Sequence, residues 1–219
     1  MQKFIYLILL VFLLESCSTT KPVPSRINQL LIFPPITDIR IIIKGDNKVR
    51  DSILSSKVGE EIINLTKTII PDSVNAVQLY TNEAQSQEIA KAFFKIIKAC
   101  EGQETTIKVA KIPDILMHLI DSSNQDFGLC LVYQGFTRTE ENQTNQYIIG
   151  RGVDFFSLGL INFTPIKSSG TMLCFIIDKK NKNIRYYQKI STEKRNPIEK
   201  MVIKSLLRHQ IMSYYQLEK

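Results

Sequence analysis

Few side chains in this sequence are able to do covalent or acid–base chemistry. The chain holds four cysteines and two histidines in 219 residues. A thiol nucleophile needs a base within hydrogen-bond reach and a third group to orient that base. One such set can be assembled on paper: Cys174, His209 as base and Asp178 as orienter. Nothing local supports it, because Cys174 stands mid-way in the apolar run TMLCFIID, where thiols are generally inert. The sequence has no Gly-x-Ser-x-Gly turn, no His-Glu-x-x-His pair and no Cys-x-x-Cys pair. His118 and His209 each fall in a helical stretch without a ligating neighbour, so neither a metal nor a cofactor is expected. The adjacent acids Glu60-Glu61 and Glu140-Glu141 lie on polar segments that face water. Gly150, Gly152 and Gly159 lack the close spacing of a phosphate cradle. Single residues without mutual geometry do not make a site. A hydrolase therefore stands only as an alternative, behind a binding role.

The cysteines divide into two groups. Cys100, Cys130 and Cys174 are an odd set, so at most one disulfide can form among them. Cys130 and Cys174 sit in apolar runs that neighbouring strands could bring together as a disulfide. The slightly favoured alternative packs all three as free thiols, which behave as small hydrophobes.

Cys17 is different, because of what precedes it. Residues 1–16 read MQKFIYLILLVFLLES, with one lysine and then an unbroken apolar run of 11 residues, Phe4 to Leu14. That length suits the hydrophobic part of a signal peptide, whereas a membrane-spanning helix needs about 20 apolar residues. The tetrad Leu14-Glu15-Ser16-Cys17 resembles the lipobox of bacterial lipoproteins. Leu14 and Ser16 match that pattern, and Glu15 departs from it, since small or apolar residues usually stand there. The resemblance implies cleavage after Ser16 and transfer of diacylglycerol to the Cys17 thiol, leaving 203 residues (219 − 16). Each buried methylene of such a lipid contributes about 0.8 kcal/mol, so two or three acyl chains hold a soluble domain firmly. Ser18 after the cysteine implies, by the sorting rule of enteric lipoproteins, an outer membrane protein facing the periplasm. Residues 17–25, with the proline-rich polar stretch STTKPVPS, form the tether. The alternative is a plain secreted or periplasmic protein cut near Ser16 or Ser18.

The remaining chain, 26–219, reads as a single α/β (or α+β) domain: two layers, with a mixed sheet and about four helices. Extended runs are expected at 29–33, ended by Pro34-Pro35, and at 38–44. Val49, Ile53, Leu54, Val58, Ile62 and Leu65 follow helical spacing over 47–70, with Asp46 or Asn47 as cap and Pro71 as stop. A strand at 76–80, a helix from Thr81 or Asn82 to Cys100, a strand at 105–109 and a helix opened by Pro113 follow. The most strand-like region is 127–137. Runs at 171–178 and 183–190 flank a Lys/Asn-rich turn and read as a hairpin. Residues 193–216 read as a closing helix opened by Pro197.

Residues 147–164 break this pattern. Phe155, Phe156, Leu158, Leu160, Ile161 and Phe163 make an unusually apolar stretch among glycines. One reading is a loop or β-hairpin that inserts into a membrane or meets a partner, as in a pore-forming or secretion-type subunit. The favoured reading is a crossover or hairpin buried on the domain's own core. Arg151 and Asp154, three apart, are placed to pair with each other.

The net charge is +7, and the leader adds nothing to it, because Lys3 and Glu15 cancel. The basic residues are spread, and no stacking-rich motif accompanies them, so nucleic acid is not an expected partner. The order of elements, with LLIFPP leading and Asp178, a turn and a strand before a last helix, resembles envelope lipoproteins carrying a TolB amino-terminal or CsgG-like domain. That resemblance implies an α/β envelope domain used in assembly. The expectation is a non-catalytic lipoprotein, attached to the membrane through Cys17, that binds or scaffolds an envelope protein complex.

Overall fold

The computed structural model describes residues 27–100, 111–157 and 164–216. The leader and tether, the strand expected at 105–109, and Leu158, Leu160, Ile161 and Phe163 lie outside the described residues.

The longest apolar strand signal in the chain becomes the axis of the sheet. This strand, β5 (Phe127–Arg138), is buried at every position from Phe127 to Tyr133. On one side it pairs antiparallel with β6 (Ser168–Asp178), which pairs antiparallel with β7 (Asn183–Glu193). On the other side lie two short strands end to end. The first, β1 (Gln29–Ile32), runs parallel to the start of β5, with Leu30 opposite Phe127. The second, β2 (Ile36–Ile42), runs parallel to its end, with Ile36 opposite Val132. Ile36 follows Ile32 by four positions, while its partner Val132 follows Leu129 by three, so one extra residue is accommodated at Pro34-Pro35. Proline lacks the amide that the ladder would need there. Outside β1 lies β4 (Asn75–Gln78), parallel to it; outside β2 lies β3 (Lys48–Arg50), antiparallel to it.

Because side chains alternate along a strand, the sheet builds two cores. Leu30, Ile32, Leu129, Leu131, Tyr133 and Cys174 face α1 (Ser52–Ile69) and α5 (Lys200–Gln216). Leu31, Phe33, Cys130, Val132, Phe175 and Ile177 face α2 (Glu83–Cys100) and α3 (Asp114–Ser122). The expected α/β domain with a mixed sheet is what forms. Its helices cover both faces, however, so the layers are three where two were expected. The apolar runs of β5 and β6 need both faces buried, which one helical layer cannot supply.

The helices follow from local chemistry. In α1 the inward side chains Val58, Ile62, Leu65 and Ile69 recur at steps of four and three. Its cap is Asp51, whose carboxylate accepts from the Leu54 amide at 2.9 Å. It is neither Asp46 nor Asn47, because residues 48–50 are drawn into β3. Asn82 caps α2 in the same manner, accepting from the Gln85 amide at 2.9 Å. Phe93, at the centre of α2, meets Phe33 and Phe175 edge-on, with ring centroids at 5.7 and 5.2 Å. The closing helix begins at Lys200, later than expected, since β7 continues its pairing to Glu193. Pro197 lies before it, where its carbonyl accepts a 3.0 Å bond from the buried Tyr133 hydroxyl.

A cysteine pair was one expectation, and the alternation of faces excludes it. Cys130 faces α2 and α3, Cys174 faces α1 and α5, and both are free thiols.

Gly128 lets α3 and β1 close on β5. A Cβ there would stand 2.7 Å from Phe33 Cε2 and 2.8 Å from Ile120 Cδ1. Gly128→Ala is therefore expected to lower unfolding free energy by about 1–3 kcal/mol through overpacking. The check is a fall in the urea midpoint with unchanged slope.

Candidate functional site

A fifth described helix, α4 (Glu140–Phe156), occupies the stretch that the sequence presented as a loop or hairpin. It leaves the end of β5 and the chain returns to the start of β6, which pairs Ser168 with Thr137 at that same end. Thr139 caps α4, its hydroxyl accepting from the Asn142 amide at 3.2 Å. Glu140 and Glu141 fill the first turn, where the helix dipole favours negative charge.

Arg138 fastens the base of this helix. Its side chain is only 8% exposed. The guanidinium donates to the Ile166 carbonyl (3.0 Å), the Gly45 carbonyl (2.8 Å) and Asn142 Oδ1 (2.8 Å), and it pairs with the Asp46 carboxylate. Asn142, 2% exposed, also donates to the Gly45 carbonyl. Gln143 donates to the Pro165 carbonyl at 3.2 Å. One cation thus joins the β2–β3 turn, the first turn of α4 and the segment before β6.

Beyond its base, α4 is turned the opposite way from a usual surface helix. Such helices bury their apolar stripe and show water their polar one. Here Gln143, Gln146, Gly150, Asp154 and Ser157, spaced by three and four, are the more covered positions. Ile148, Ile149, Val153, Phe155 and Phe156 are exposed, Phe155 at 77% and Phe156 at 86%. At 100° per residue these five span an arc of roughly 160°, and between residues 148 and 156 no charged residue falls in it. An open groove on it is lined by Ile149, Gly152, Val153 and Phe156, and apart from its chain neighbours and the helix's own backbone nothing lies within 4 Å of where a Gly152 side chain would begin. Arg151 and Tyr147 sit at one margin. The expected Arg151–Asp154 pair is not what forms: Arg151 Nε donates to the Tyr147 hydroxyl at 3.0 Å.

Of the apolar residues singled out in sequence, Phe155 and Phe156 are therefore on the surface, and the helix that carries them is not packed on the core. Sequence reasoning missed Arg138 and Asn142, whose role depends on carbonyls far apart in the chain. It also missed the outward Ile148, Ile149 and Val153, although their spacing of four and five with Tyr147 and Arg151 was visible.

The other candidates are dispersed. Cys174 is buried, and burial pushes its thiol up to about 12; Cys130 is likewise pushed well above the ordinary thiol value. Asp178, also buried, accepts from Asn181 and from Arg185 at 3.2 Å. His209 is exposed on α5. Nothing joins the three into a catalytic set. Elsewhere, a cleft of about 350 Å³ is lined by Asp38, Arg40, Lys48, Gln134, Phe136 and Thr171. Its charges largely answer one another: Arg40 pairs with Asp38 at 2.7 Å, and Lys48 lies 4.1 Å above the Phe136 ring.

No protein-family model and no curated protein sequence matches the chain. Solved structures with a similar arrangement do exist. A Xanthomonas campestris protein of family DUF330 aligns with a TM-score of 0.40 and 4% identity, over 91% of this chain and 94% of that one. The PelC dodecamer subunit of Paraburkholderia phytofirmans aligns with a TM-score of 0.38 and 9% identity, over 88% and 91%. The lipoprotein GNA1162 of Neisseria meningitidis aligns with a TM-score of 0.33 and 8% identity, over 85% and 95%. At these scores the likeness carries no functional argument.

Two outcomes follow from the site. Arg138→Gln removes a buried cation from four acceptors and is expected to cost about 2–3 kcal/mol. Hydrogen exchange should quicken in the first turns of α4 while the β5–β6 amides stay protected. At pH 8 Cys130 and Cys174 remain protonated, so neither should react with iodoacetamide in the folded protein; both should react in urea.

Proposed function

We propose that the chain is a lipid-anchored protein of the bacterial envelope that works by contact rather than by catalysis. The observation that carries this reading is the outward apolar face of α4. A helix whose covered side is polar and whose open side is apolar is built to meet something outside its own domain. The thiol and carboxylate that could have served a catalytic triad are instead committed to packing and to structural hydrogen bonds.

The sequence supports the location. The apolar run Phe4–Leu14, the tetrad Leu14-Glu15-Ser16-Cys17 and the polar tether fit a leader cleaved before a lipidated Cys17. Ser18 favours the outer membrane, with the domain facing the periplasm. In this reading the domain is a non-catalytic binding or scaffolding subunit of an envelope complex. A second reading, a membrane-contacting subunit, is favoured by the same face of α4 and concerns only what that face touches.

The test has two readouts on the full chain in a bacterium with an outer membrane. The amino-terminal peptide should begin at Cys17 and carry the mass of a diacylglyceryl group, absent from Cys17→Ala. A photo-reactive residue at position 156 should form adducts in cells, and one at the equally exposed Tyr80 should not. A mature chain beginning elsewhere would overturn the anchor; equal silence at 156 and 80 would overturn the contact role.

A further inference from the structure

We infer that the apolar face of α4 is occupied by the bilayer itself: the helix lies in the plane of an anionic lipid surface with Ile148, Ile149, Phe155 and Phe156 in the acyl layer. This rests on the reading of Cys17 as a lipid anchor and names what the contact face meets.

The chain outside the described residues favours lipid as occupant. Ile27, the first described residue, follows Cys17 by ten positions (27 − 17). Fully extended, they span at most about 35 Å. A lipid on Cys17 therefore holds the domain close to the membrane, near enough for a helix at the far end of β5 to touch the surface when the strand lies along it. The breadth of the apolar arc points the same way. A single partner helix or strand covers a stripe, whereas a continuous medium covers the whole arc from Phe155 round to Val153.

The margin of the arc also has interfacial chemistry. Tyr147 and Arg151 stand there, joined at 3.0 Å, with the guanidinium carbon 5.3 Å from the ring centre. An aromatic ring with a polar tip and a long side chain with a charged head both suit the boundary between acyl chains and headgroups. Among the described residues, no helix is long and apolar enough to cross a membrane. At 1.5 Å per residue α4 is about 25 Å long and polar on its covered side, which fits a helix lying in the interface. Arg151 is the one cation on α4, at the margin of the arc, and the chain as a whole carries +7.

The absence of tryptophan from the sequence makes the test clean. Phe156→Trp and Tyr80→Trp each place one reporter at a surface position, so folding is not at risk. The full chain, purified in its lipidated form, is reconstituted into vesicles of phosphatidylethanolamine and phosphatidylglycerol whose acyl chains carry bromine. The Trp at position 156 should emit to the blue of that at position 80 and be quenched by the brominated lipid. The Trp at position 80 should be unaffected. Equal, unquenched emission at both positions, beside an amino-terminal peptide bearing its lipid, overturns the α4 proposal and leaves the anchor standing. A blue shift at position 156 without quenching overturns it in favour of a protein partner or a second copy. Quenching at position 156 that persists in the Cys17→Ala chain supports the α4 contact even where the anchor fails.

Discussion

Every layer of this protein is referred to one strand whose two edges and two faces are all occupied. Along β5, hydrogen bonds run to β1 and β2 on one edge and to β6 on the other. Its side chains from Phe127 to Tyr133 enter two separate cores in turn. The constraint is severe, because a slip of one residue would exchange the two faces. It accounts for several local features at once. Gly128 is small because α3 and β1 must both reach the strand. The Pro34-Pro35 break takes up one residue so that both halves of the neighbouring line stay in register. Cys130 and Cys174 occupy neighbouring strands and cannot meet, since parity sends them to opposite sides.

The same strand changes character after Tyr133. Gln134 is exposed, and the residues after it are only partly covered. At its last position the requirement for burial is replaced by a requirement for fastening. Arg138 supplies it, with a planar cation whose several donors reach carbonyls that no single backbone amide could serve together. The stiffness of α4's base and the openness of its distal half are then two sides of one arrangement. The helix is held by polar contacts at its root, leaving its apolar residues free of the body.

Much of this architecture was legible in the residues. The period-two and period-three-to-four patterns located β1, β4, α1, α2, α3 and the β6–β7 hairpin to within a few positions. What was not legible has physical reasons. The helical layer on the second face was signalled by FGLCLVY and TMLCFII, apolar at consecutive positions, but such runs do not say which segments supply the cover. The segment 48–50 is too short and too polar to announce a strand, and it joins the sheet through pairing with β2. The hydrophobic content of 147–156 was plain, but its direction was not. Apolar periodicity reports which residues share a face, and it is silent on whether that face turns toward the core or away. Gly150 and Gly152, poor helix formers, further disguised α4 as a loop.

The geometry of β5 has one more consequence, which concerns rotation. Ile27 precedes β1 at the end where β5 begins, and α4 departs where β5 finishes. Twelve residues at about 3.3 Å each put those two points roughly 40 Å apart. A body held at one point can still swing in every direction. A body held at one end of a rigid strand by its own helix and at the other by a tether shorter than that strand loses the upright poses first. With a lipid about 35 Å at most from one end and α4 at the other, a strand of about 40 Å would lean along the surface rather than stand upright from it, and rolling about that strand would decide which of the two helical layers faces outward.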